Sequence, residues 1–112
     1  MKEIKACIHN HRIGDVIRAL KDSGQCNAGA GCRNLVVIPV QSLLKAMDAR
    51  EQRYSLDLAE EVINESMLEL ICEDHQVEGL VDIIERTART GQDEAGWIYV
   101  SDLISATLIR RS

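Results

Sequence analysis

The chain has no phenylalanine, and Tyr54, Trp97 and Tyr99 are all its aromatic residues, so any core it builds must be aliphatic. There is one proline, Pro39, and no Pro- or Ser-rich tract, which leaves no candidate linker within the 112 residues. Basic clusters are missing apart from the Arg110–Arg111 pair, and the formal charge is -5. Without a basic stripe a general nucleic-acid binder is not expected. No apolar run approaches the roughly 20 residues that cross a bilayer, and MKEIKACIHNH lacks the apolar stretch of a signal peptide, so the expected location is cytoplasmic and not membrane-inserted. Four cysteines in such a setting are expected to be thiols, metal ligands or redox groups rather than a disulfide framework.

What is present is 46% hydrophobic, enough for one core and one domain spanning 1–112. In KEIKACIHN, Ile4, Ala6 and Ile8 alternate with Lys5, Cys7 and His9, the period of a strand. Ile13, Val16, Ile17 and Leu20 then form one stripe of a helix ended by Gly24. NLVVIPV reads as a buried strand, with Pro39 hinting at an edge or a bulge. SMLELICE, Ser66 to Glu73, is another strand. Asp74 is the expected cap of a second helix whose stripe is Val77, Leu80, Val81, Ile84 and Ala88, stopped by Gly91. GWIYV and LIRR are expected to be short final strands.

The order is β-α-β, a long excursion from about Ser42 to Asn64, then β-α-β. Two such halves make an α+β, ferredoxin-like split βαβ plait (βαββαβ), with both helices on one face of an antiparallel sheet. The uncovered face predicts an oligomer.

One stretch raises a chemical question. ARTGQDEAGWIYV, Ala88 to Val100, joins a helix end, a glycine loop and a strand, an arrangement that often holds phosphate, yet Asp93 and Glu94 sit inside it. Together with IHNHRIGDVIRAL, LELICEDHQVEGLVDIIERTARTGQDEAGWIYVSDL and LIRR, this stretch resembles the PII signal-transduction proteins, nitrogen-regulatory trimers that bind adenine nucleotides between subunits. The resemblance covers nearly the whole chain, with an insertion around QCNAGAGC. It implies a homotrimer, no enzymatic activity, and a long T-loop at 42–64 that docks onto a protein partner, a membrane transporter or an enzyme.

The family's nucleotide loop, T-G-x-x-G-D-G-K, falls on Thr90-Gly91-Gln92-Asp93-Glu94-Ala95-Gly96-Trp97. Glu94 stands where the resemblance implies a glycine, and Trp97 where it implies a phosphate-binding lysine. Of two C-terminal phosphate arginines, one falls on Leu108 and the other on Arg110. The T-loop lysine that reaches phosphate falls on Glu65, the glutamine used with 2-oxoglutarate and magnesium on Ala46, and the tyrosine that some members uridylylate on Leu58, with Tyr54 nearby but not equivalent. The resemblance therefore places any ligand at Thr90, Gly91, Gly96, Trp97 and Arg110, with weak or absent ATP binding. The ligand left open is an adenine nucleotide or small anion, and Trp97 reads first as an aromatic at a subunit junction and second as a stacking surface.

A second reading rests on Cys7, His9 and His11, which would share one strand face if the first strand ran far enough, and thiolate and imidazole suit transition metals. That reading makes the chain a metal- or redox-responsive module linked to metal or anion transport. Cys26 and Cys32 flank NAGAG at a spacing that matches neither a zinc finger nor a thioredoxin motif, so pairing, metal binding and two separate thiols all stay open. Glu60, Glu61, Glu65, Glu69, Glu73 and Asp74 read as a solvated face, and no Ser-His or Cys-His arrangement suggests a nucleophile.

Overall fold

The structure is a computed structural model that describes residues 1–26, 32–43 and 52–111. The elements run β1 (Lys2–His9), α1 (Asn10–Asp22), β2 (Arg33–Ser42), β3 (Gln52–Ser55), β4 (Glu60–Cys72), α2 (Val77–Ala88) and β5 (Ile98–Asp102), with one 3-10 turn at Asp74–Gln76 before α2. The sheet order is β2-β4-β1-β5, β3 also pairs with β4, and every pair is antiparallel. This is the split βαβ topology that the pattern predicts.

Alternation along β1 decides which face is covered. Ile4, Ala6 and Ile8 are buried and lie in register with Leu70, Leu68 and Ser66 of β4. Val16 and Leu20 of α1 and Leu80 and Ile84 of α2 close over them in one core cluster. Each large aliphatic so buried stabilises the fold by about 1.5–3 kcal/mol before its ordering cost. The odd positions of β1, Glu3, Lys5, Cys7 and His9, point to the face that no helix covers. Lys5 there lies 3.7 Å from Glu3 and 3.9 Å from Glu69, and Ile38 and Tyr99, on the same face, are 42% and 51% exposed.

Several sequence expectations are corrected. β2 is an edge strand, as Pro39 suggests, but it is not buried: Val37 and Ile38 are 40% and 42% exposed. Its irregularity falls between Arg33 and Val36, where Asn34 takes φ 54°, not at Pro39. Asp74 does not cap α2. It accepts a bond from the Met1 amino group at 2.9 Å, while Gln76 Oε1 accepts the Glu73 N–H at 3.0 Å to close the turn. LIRR forms no strand, and residues 103–111 have no regular structure. The physical reason is the register: Asp102 already faces Lys2, so β1 has no further residue to pair, and the Leu103 N–H to Met1 carbonyl bond at 3.2 Å ends the ladder.

The expected excursion 42–64 is partly strand. β4 starts at Glu60, ahead of the Ser66 start read from the sequence, and β3 folds onto it as a hairpin with Leu56 and Leu58 exposed at its turn. Ala46 lies outside the described residues. Cys26 and Cys32 are joined as a disulfide with Cα atoms 4.4 Å apart, which decides the question that their spacing leaves open. Cys7 and Cys72 are free. No helix among the described residues is long and apolar enough to cross a membrane.

Candidate functional site

The loop 91–97 lies where α2 hands the chain to β5, beside the His9 end of β1. Two glycines make it possible. Gly91 takes φ 86° and lets the chain leave the helix; Gly96 takes φ 148° and lies so close to β1 that a Cβ would collide with the Cys7 carbonyl oxygen. That approach is locked by the Cys7 N–H donating to the Trp97 carbonyl at 3.0 Å, one register step beyond the Ala6–Ile98 pair. Thr90 Oγ1 accepts the Gln92 N–H at 3.4 Å.

Two clefts flank this loop. One, about 380 Å³, lies toward α2, between Ile84, Arg89, Asp93 and Trp97. The other, about 330 Å³, opens on the uncovered sheet face between His9, Glu65, Glu94, Trp97 and Tyr99. Both are of a size that suits a small ligand. Arg89 is the only Lys or Arg lining either cleft among the described residues, and it lies 3.5 Å from Glu85. Glu65 is 6% exposed, and its Oε2 accepts a bond from the Cys7 thiol at 3.2 Å. Burial first, then this bond and the charge of Glu65, push the Cys7 thiol up to about 12.

Of the residues picked from the sequence, Gly96 and Trp97 line the clefts, and Thr90 and Gly91 shape the turn that carries them. Trp97 is 59% exposed. Arg110 is not brought in. It is exposed in the segment after β5, whose residues Thr107, Leu108 and Ile109 line an open groove with Met1 and Arg33, at the far end of β1 and about 20 Å along the strand from Cys7. Glu65, Gln92 and Arg89 line the clefts without having been picked as ligand residues. Glu65 is expected on a solvated face but is 6% exposed, because β4 begins ahead of it and carries it into the sheet.

The metal set is also corrected. β1 ends at His9, so His11 belongs to the first turn of α1 and not to the strand face of Cys7 and His9. The His9 and His11 rings are 5.4 Å apart between centroids. Among the described residues no three His, Cys, Asp or Glu side chains are placed to hold a metal ion. A thiol held near 12 also resists becoming the thiolate that a metal needs.

A two-helix, antiparallel plait with a glycine-bent loop and cleft beside the central strand defines a ferredoxin-like α+β domain. Its sequence agrees with one such family throughout: the family described as nitrogen regulatory protein P-II matches residues 1–112. A nitrogen regulatory protein P-II 1 of Methanothermobacter thermautotrophicus is 28% identical over 98% of this chain and 90% of its own length. The P-II proteins of Porphyra purpurea and Microchaete diplosiphon are 26% and 27% identical, each over 98% of this chain and 92% of theirs. The chain belongs to the P-II family of nitrogen regulatory signalling proteins.

Proposed function

We propose that this chain is a trimeric, cytoplasmic P-II regulator that controls a transporter or enzyme through its 42–64 segment, without binding ATP in the way usual for the family. It is not an enzyme on this reading. The observation that carries the proposal is the charge of the clefts: Asp93, Glu94 and Glu65 line them, and their one described guanidinium, Arg89, is engaged by Glu85. A triphosphate needs the reverse. Each charge-assisted phosphate contact contributes about 1.5–3 kcal/mol, so the three cations replaced at Glu65, Trp97 and Leu108 remove about 3 to 6 decades of affinity. A nucleoside monophosphate or a small carboxylate anion demands fewer cations, and Trp97 offers it a stacking surface.

The partner surface is supported by the β3–β4 hairpin, which presents Tyr54 at 62%, Leu56 at 87% and Leu58 at 48% exposure. Apolar side chains clustered at a hairpin tip suit a protein partner better than solvent. Assembly is supported by the uncovered sheet face, where Ile38 and Tyr99 stand exposed beside Met67. A second and third copy would cover it and bring the Arg110 of one subunit toward the loop of another. The test is light scattering at micromolar concentration: a mass near three times 12.5 kDa is expected, and a monomer mass overturns the assembly.

A further inference from the structure

We infer that Cys26 and Cys32 are a reversible thiol–disulfide site whose state sets how firmly the start of β2 is held. The bridge spans the corner between α1 and β2. The Cys32 N–H donates to the Gln25 carbonyl at 2.8 Å, and Gln25 in turn lies over Gly79 of α2. Beyond the corner the ladder is incomplete: Arg33 pairs with Ile71, and regular pairing resumes only at Val36 opposite Glu69. Leu35 packs against the core, but Asn34 is exposed and lies inside the break in the ladder, so the tether at Cys32 bears on it most.

That weakly paired start of β2 is one wall of a groove. Arg33, Asn34 and Ile71 face Thr107, Leu108 and Ile109 across it. Opening the bridge removes the covalent tether next to Arg33 and Asn34, while Cys32 keeps its bond to Gln25 and its place in the core. The rest of the sheet has its own ladder and keeps it.

The chemistry is ordinary thiol–disulfide exchange. Cys26 is half-buried and Cys32 is 6% exposed, so an external thiolate reaches the Cys26 sulfur first. It forms a mixed disulfide there, and the Cys32 sulfur leaves with the bonding pair and takes a proton. A second external thiol releases Cys26 as a thiol and departs within a small disulfide. The reverse oxidises both protein thiols and reduces one small disulfide, such as glutathione disulfide, to two thiols. Cys7 and Cys72 do not compete: burial raises both above the ordinary thiol range. The inference takes the cytoplasmic setting from the function proposed above, since a disulfide there is transient and redox-sensing rather than structural.

Alkylation counting and hydrogen exchange, with the full chain in reduced or oxidised glutathione, test it. Four thiols should be alkylated in the denatured reduced protein and two in the oxidised one, with Cys26 and Cys32 mapped to one cross-linked peptide. In the reduced protein, amides 33–36 should exchange at least about threefold faster, with 37–42 unchanged. C26S should show the fast pattern in both buffers, while C7S should keep the response. Four alkylatable thiols in oxidised glutathione would overturn the site, and a bridge that forms without altering exchange at 33–36 would overturn its effect on β2. Neither nucleotide nor partner enters the experiment, so its failure is distinct from failure of the proposed function.

Discussion

Replacing Gly96 by alanine tests the geometry on which the whole loop depends. At φ 148° an L side chain is strained, which costs about 1–3 kcal/mol. The new methyl also collides with the Cys7 carbonyl oxygen, part of a β1 backbone that cannot swing aside as a side chain can. Relief requires the loop to lift, which breaks the 3.0 Å bond from the Cys7 N–H to the Trp97 carbonyl and adds about 1 kcal/mol. The expected loss is about 2–4 kcal/mol, a drop of roughly 8–16 °C in Tm for a domain of this size. Urea unfolding read at unchanged m gives the number directly. Gly91→Ala is the control: its φ of 86° is strained but no atom lies within 4 Å, so only about 1–2 kcal/mol should be lost. A Gly96→Ala loss below about 0.5 kcal/mol would refute the close approach of loop and strand.

Two other perturbations follow from the core and from the cleft. Leu80→Ala removes a fully buried side chain between the helices and β1, and should cost about 2–5 kcal/mol by urea unfolding; a loss below about 1 kcal/mol would mean that α2 does not pack as described. Cys7 holds its proton to about 12 against an ordinary value of 9.0, so the folded state binds more protons than the unfolded one between those values. That contribution is complete below the unfolded value and is lost as pH rises toward the folded one. Cys7→Ser should therefore flatten the fall in stability above pH 9, and rapid alkylation of native Cys7 at pH 8 would contradict its placement.

Periodic elements were legible because their signal is local. The alternation of Ile4, Ala6 and Ile8 and the stripe through Leu80 and Ile84 both landed on the core face. The ends of elements were not, because they are decided by partners distant in sequence. LIRR has strand-like composition, but the register of β5 on β1 leaves it nothing to pair with. His11 follows His9 at strand spacing, yet the chain turns into α1 at Asn10. At the site, the glycines of the 91–97 loop could be read from their spacing, since backbone that bends with positive φ calls for glycine. Glu65 and Gln92 could not, because their place in a cleft depends on β4 and the loop meeting at β1. The Cys26–Cys32 bridge was equally hidden: sequence spacing does not report the 4.4 Å between their Cα atoms.

The central claim is that an acid-lined cleft has replaced the phosphate-binding one. Isothermal titration of the freshly purified protein with magnesium-ATP, alone and with 2-oxoglutarate, meets it most directly, with AMP as a less charged comparison. The account predicts no saturable heat for magnesium-ATP up to about millimolar concentration, and no rescue by 2-oxoglutarate, because Glu94 and Glu65 would repel a triphosphate by about a kilocalorie or more per close pair. A micromolar Kd for magnesium-ATP would contradict it and return this chain to the ordinary nucleotide-sensing P-II proteins.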